Sequence, residues 1–301
     1  MPDLQPRIQV SLFSILEEKE IQIRGFKVRL PLDIQFIFTS NPEDYTNRGT
    51  IVTPLKDRIG SQILTHYPES IEIAKQITEQ ESRLNSQVVS KIHIPEIARD
   101  IIEQISFEAR ESDLIDKKSG VSARMSITSL QNLVSSAERR MIINNEKQTS
   151  IRMSDFNSVI SSINGKVELV YEGEEEGAEQ VSYNLISDAV KSLFNKYFPK
   201  IEKLSKPDEE TPYDSLLEWF TQKQLIIGDN LKNNEYEELL IEIIDARTII
   251  DKYVKDLDDN DKFFFIEFIL WGLESFNKLS ILRTNNGIEF KDPFNNFINK
   301  I

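Results

Sequence analysis

The 301 residues carry no cysteine and a net charge of −14, with 39% apolar and 29% charged side chains, the balance of a soluble globular protein large enough for more than one core. Disulfides and thiolate metal sites are thereby removed, and without a run of about 18 apolar residues so is a membrane span. Residues 1–140 hold 18 basic and 20 acidic side chains against 18 and 30 in residues 141–301, so the second half repels a phosphate backbone while the first stays open to a small phosphate ligand. The Met-Pro-Asp start lacks the basic and apolar blocks of a secretory signal, and a cytoplasmic location is expected. His66 and His93 have no metal-ligand spacing and read as structural.

Residues 5–18, QPRIQVSLFSILEE, place Ile8, Leu12, Ile15 and Leu16 at helical spacing and predict an amphipathic helix. Residues 20–30, EIQIRGFKVRL, alternate about Arg24-Gly25, the pattern of a β-hairpin whose glycine supplies a positive φ. Residues 34–38, IQFIF, are nearly all apolar, which predicts a strand buried on both faces of a parallel sheet. A second short strand is expected at 63–67. Helical periodicity then runs through 70–84, 95–109 and 125–143, with Pro95 suited to a first turn. Beyond Asn145 the pattern predicts a short helix at 155–163, a strand at 166–171, a solvated acidic turn at 172–177 (EGEEEG) and a long helix at 178–198 ended by Pro199. Residues 200–212, rich in Lys, Glu and Pro, read as a linker. Three further helices are expected at 213–227, 235–257 and 262–279, the last apolar on most faces, before an Asn-rich end held by Phe290, Phe294 and Phe297. The expected fold is an α/β part in residues 1–68, a helical domain in 69–145, a mixed helical and short-strand extension in 146–199 and a C-terminal helical region in 213–301.

Function in parallel sheets gathers at the carboxyl ends of strands, and Thr39-Ser40-Asn41 stands at one such end. An Asn there can donate to and accept from a water or phosphate oxygen, or simply cap a turn before Pro42. Arg58, in TPLKDRIG, offers a fork of donors to a phosphate, or a surface salt bridge. Arg124, in SGVSARMSI, opens the helix from Met125, where the helix end favours anions. Arg139-Arg140 lie about four turns further on and form a less specific pair.

Helix, hairpin, strand ending SNP, LKDR turn and a helical domain opening GVSAR resemble, in that order, the second half of an AAA+ ATPase of the magnesium-chelatase and MoxR clade. The likeness covers residues 1–143; beyond them there is a general likeness to the C-terminal extension of chelatase-like bacterial ATPases. It implies a partial AAA+ core with a pre-sensor β-hairpin at 20–30, followed by a mostly α-helical lid and a helical extension. By the resemblance Asn41 is sensor 1, Arg58 the arginine finger reaching a neighbour's γ-phosphate, and Arg124 sensor 2. MPDLQPRIQ resembles the residues that follow the Walker B acidic pair.

The family binds ATP and Mg2+ through a GxxxxGK[ST] loop and that acidic pair, and this chain contains neither. No cofactor is therefore expected for the chain alone, nor ATP hydrolysis. Either an upstream segment carries the nucleotide site, or the chain is a stand-alone subunit that lost its P-loop. The implied function is the C-terminal part of a ring-forming ATPase that remodels a protein partner, with ring neighbours as further partners and neither nucleic acid nor membrane. The rival is a non-catalytic helical adaptor. A chelatase subunit of tetrapyrrole synthesis is a third reading, and a sigma-factor activator stays open because its diagnostic loop would precede Met1. A strand such as IQFIF without neighbours leads one to expect aggregation or association through its edge.

Overall fold

Helices make up most of the chain, and the sheets among the described residues are small. The computed structural model describes residues 5–13, 15–16, 19–29, 35–39, 53–201, 211–284 and 287–293. The chain divides into two compact units, Met1–Tyr67 and Pro68–Ile301.

In the first unit, helix α1 (Pro6–Phe13) begins on a proline, whose missing N–H costs nothing at a first turn. It is shorter than the periodicity predicts, and Ile8 on it is exposed. Strands β1 (Glu20–Ile23) and β2 (Phe26–Arg29) pair antiparallel with Ile21 opposite Val28 and Ile23 opposite Phe26. Arg24 (φ 49) and Gly25 (φ 88) form the two-residue turn, both left-handed, which matches the twist of the strands as the dipeptide predicts. Ile23, Phe26 and Val28 project from this hairpin into solvent. A four-residue helix α2 (Thr53–Lys56) precedes Arg58.

Two of the expected strands need correction. The described part of the IQFIF run, residues 35–38, carries no strand, and Ile37 is 83% exposed. Residues 63–67 carry none either, with Ile63 and Leu64 both exposed. A strand exists only by hydrogen bonding to a neighbour, and among the described residues of this unit the only sheet is β1–β2. The buried parallel sheet expected for residues 1–68 is thus absent from the described residues.

The second unit is helical from its start. Ser70 caps α3 (Ile71–Glu81), its Oγ accepting the Ile73 amide at 3.3 Å. After the short α4 (Ser86–Val89), strand β3 (Ile92–His93) leads to Pro95 and α5 (Glu96–Glu111). Ile97, Ile101 and Ile105 of α5 recur at helical spacing and are buried. Helix α6 (Arg124–Ile143) lays Leu130, Leu133, Val134 and Ala137 against the same core, and β4 (Thr149–Ser150) pairs parallel with β3. A 3-10 turn (Met153–Val159) runs into α7 (Ile160–Asn164), matching the short helix expected at 155–163.

The strand expected at 166–171 is reduced to a single bridge between Leu169 and Ile115, and the acidic turn after it is a helix, α8 (Tyr171–Glu176). Two backbone hydrogen bonds flank that bridge, from the Asp116 amide to the Glu168 carbonyl and from the Val170 amide to the Leu114 carbonyl. Helix α9 (Ala178–Tyr197) packs on α5 and buries Val181, Leu185, Ala189 and Val190. Residues 202–210 of the expected linker, together with Asn41, Phe294 and Phe297, lie outside the described residues.

Beyond it, α10 (Asp214–Gln222) stops earlier than expected and gives way to β5 (Leu225–Gly228). The helix expected at 235–257 is two, α11 (Asn233–Ile241) and α12 (Ile244–Tyr253). Helix α13 (Lys262–Ser275) is buried on almost every side, as its composition predicts. Strands β6 (Ser280–Thr284) and β7 (Gly287–Lys291), the second within the Asn-rich end, pair antiparallel and with β5 make a sheet in the order β5-β7-β6. Phe290, opposite Leu225 and Ile281, is fully buried. One contiguous core extends from Ile92 to Phe290, so the segments read as lid, extension and C-terminal region share it.

Gly272 of α13 lets the Phe194 ring of α9 come so near that a Cβ built there would lie 2.1 Å from it. Phe194 itself packs against the rings of Phe198, Tyr213, Phe268 and Phe276 and has no room to retreat. Gly272→Ala is expected to destabilise the fold by roughly 1–3 kcal/mol through overpacking. Urea unfolding measures this, and an unchanged midpoint would contradict the packing described.

Candidate functional site

Of the residues singled out by sequence reading, Arg58 belongs to the first unit, and Arg124, Arg139 and Arg140 to the second. Asn41 lies outside the described residues. Arg58 is exposed in the first unit, with Nη1 donating to the Pro54 carbonyl at 2.7 Å. Arg124 is the first residue of α6 in the second unit and is exposed; its amide donates to the Ser122 hydroxyl at 3.3 Å. Arg139 is also exposed, but Arg140 turns inward and is 2% exposed. It serves an internal ion pair and is thereby removed from the surface candidates.

That pair belongs to a buried polar cluster. Asp155 accepts from Arg140 Nη1 on both oxygens (2.8 and 2.9 Å), from Ser136 Oγ (2.9 Å) and from the Arg152 amide (2.8 Å). Arg140 Nη2 donates to the Ser150 carbonyl at 2.6 Å, tying α6 to β4. Arg152 is equally buried, its guanidinium 4.0 Å from the centre of the Tyr236 ring. Its Nη1 donates to the Leu231 carbonyl (3.0 Å) and its Nη2 to Asn233 Oδ1 (3.1 Å). Tyr236 OH donates at 2.6 Å to Glu267 Oε2, which also accepts the Met153 amide at 3.0 Å. Glu267 Oε1 has no hydrogen-bond partner among the described residues. The cluster joins α6, the 3-10 turn, α11 and α13.

Burial pushes the Glu267 carboxyl up from the usual 4.5 to about 7, against the Tyr236 hydroxyl, the Arg152 charge and the Met153 amide, which pull it down. Burial, then the adjacent Glu267, raises the Tyr236 phenol well above its usual range. Arg152 is shifted down by burial and next by the charge of Arg140.

Beside the cluster opens a cleft of about 630 Å³, lined among others by Lys91, His93, Arg152, Tyr236, Glu237 and Asp259. His93 Nε2 lies 2.6 Å from Asp261 Oδ1, a contact across 168 positions that holds β3 to the start of α13 and fits the structural role expected of this histidine. His66 Nδ1 stands 2.8 Å from the Tyr67 carbonyl. A smaller cavity of about 160 Å³ lies between α3, α5 and α6, where Lys75 bridges Glu96 and Asp100, both at 2.6 Å. No group of three or more metal-ligating side chains occurs among the described residues, and no helix there is long and apolar enough to cross a membrane.

Sequence reading missed Arg152, Tyr236 and Glu267. One signal was present: a single carboxylate in the run FFFIEFILW, which must be buried and therefore partnered. No family model, curated protein or solved structure matches the chain.

Because folded Glu267 holds its proton more tightly than an unfolded glutamate, its contribution to stability is full below pH 4.5 and is lost as pH rises to about 7. The loss is roughly 3 kcal/mol by the shift in proton affinity. Glu267→Gln, which keeps an acceptor for Tyr236 and Met153, is expected to abolish this decline between pH 5 and 7 in urea unfolding. A slope equal to that of the parent would refute the assignment. Asp155→Ala, which strands the Arg140 charge, is expected to cost about 3–5 kcal/mol at neutral pH in the same measurement.

Proposed function

We propose that the chain acts as the C-terminal part of a ring-forming AAA+ ATPase of the magnesium-chelatase and MoxR type, coupling ATP hydrolysis to the remodelling of a protein partner. The observation that carries this reading is Arg124, an exposed arginine on the first residue of a 20-residue helix whose other face is fixed in the core. A cation so placed, at the positive end of a helix, fits a phosphate contact that moves a helical domain as a body. The exposed apolar tip of the β1–β2 hairpin suits contact with a partner, and Arg58 supplies the charge for a neighbouring subunit's phosphate.

ATP and Mg2+ do not fit this chain by itself. It has no Gly-rich loop ending in Lys-Ser or Lys-Thr to cradle the β and γ phosphates, and no group of metal-ligating carboxylates among the described residues. In this reading a separate segment holds the nucleotide, and the residues of this chain orient and sense it.

A second reading, a non-catalytic helical adaptor, draws on the continuous core from Ile92 to Phe290, which gives residues 68–301 the interior of a self-supporting module. The two readings part on one experiment. The chain is joined to a nucleotide-binding AAA+ half of the same clade, and ATP binding and turnover are measured. The ATPase reading expects turnover, a fall of about 10³-fold or more in Arg58→Ala with ATP binding retained, and a loss of nucleotide-dependent motion in Arg124→Ala. Turnover that is indifferent to both substitutions would sink it, and absence of nucleotide affinity in the joined protein would favour the adaptor.

A further inference from the structure

Arg152 is a buried cation without a counter-ion at contact distance. It is 2% exposed, and no carboxylate among the described residues lies within ion-pair range of it. Its two terminal nitrogens donate only to neutral oxygens, those of Leu231 and Asn233. The two carboxylates of the cluster that act on it electrostatically are bonded elsewhere, Asp155 to Arg140 and Glu267 to the Tyr236 hydroxyl and the Met153 amide. A charge withdrawn from water is ordinarily paired, because its desolvation costs several kcal/mol.

Arg152 also lines the 630 Å³ cleft, and two other basic side chains line it with Arg152: Lys91, exposed and in no ion pair among the described residues, and His93, held by Asp261. The acidic residues of the lining are Asp259, which lies 2.6 Å from Lys262, and Glu237, which has no ion pair among the described residues. Thr149, Asn233 and Tyr236 complete a polar wall.

We propose that this cleft is a binding site for an anionic small molecule, whose phosphate or carboxylate group sits against Arg152 and Lys91 and whose hydroxyl or amino donors face Glu237. The volume exceeds that of a lone anion and suits a metabolite-sized ligand. The proposal rests on the second unit alone and is independent of the ATPase reading.

The test is made on the 301-residue chain with inorganic phosphate and citrate as probes and chloride at matched ionic strength as control, followed by thermal shift and by the NMR signal of the Arg152 Nε–H. Expected are saturable stabilisation by one or both probes beyond chloride, displacement of the Arg152 signal, and a Kd weakened roughly fivefold in Lys91→Ala. Phosphate acting alone identifies a phosphoryl ligand; citrate acting alone identifies a carboxylate. Equal effects of all three salts would overturn the proposal, as would stabilisation that leaves the Arg152 signal in place and is unchanged in Lys91→Ala. Lys91 is exposed, so that variant keeps the fold, and the Arg152 signal is read in the unmutated chain.

Discussion

Arg140 and Asp155 meet at 2.8 Å with their side chains 2% and 5% exposed. At that depth neither charge could stand alone, and the pair persists because the groups bonded to it are themselves fixed in place. Asp155 gathers the amide of Arg152, which starts the 3-10 turn, and the hydroxyl of Ser136 on α6. Arg140 holds the carbonyl of Ser150 and so the parallel pair β3–β4. An apolar contact of equal area would tolerate sliding; these bonds fix α6 against the 3-10 turn, to which α13 is tied through Met153 and Glu267.

The same cluster shapes the cleft beside it. Two guanidinium groups face the Asp155 carboxylate and Glu267, whose raised pKa leaves it partly protonated near neutrality. The interior is therefore short of negative charge on the side where Arg152 meets the opening, although residues 141–301 carry a large acidic excess. Net charge described the surface of this half and concealed the sign of its interior, since the acidic side chains lie mostly in water where they are screened.

The helices were legible. Helices at 71–81, 96–111, 124–143 and 178–197 fall within one to three residues of the ends read from periodicity, because an amphipathic helix satisfies its own backbone and needs only a surface to lie on. The β1–β2 hairpin was legible for a similar reason, its turn being fixed locally by Arg24-Gly25. Apolar runs read as strands fared worse. IQFIF, residues 63–67 and KVELVY have strand composition but find little or no ladder among the described residues, whereas LIIG at 225–228, read as the tail of a helix, is a strand because β7 pairs with it. Of the site residues, Arg124 stands at its helix start as read, Arg58 is exposed, and Arg140 is buried where the sequence alone left it a surface candidate.

Local sequence settled most of the long amphipathic helices and which of their faces are apolar, since these depend on neighbours within about four positions. Residue content also settled that the sequence contains neither a cysteine nor a GxxxxGK[ST] stretch. Which charged groups leave the water was a matter for packing. Arg140 finds Asp155 fifteen positions away, but His93 meets Asp261 across 168 and Met153 meets Glu267 across 114. Pairings at such separations are set by how helices pack, and nothing local in the chain encodes them.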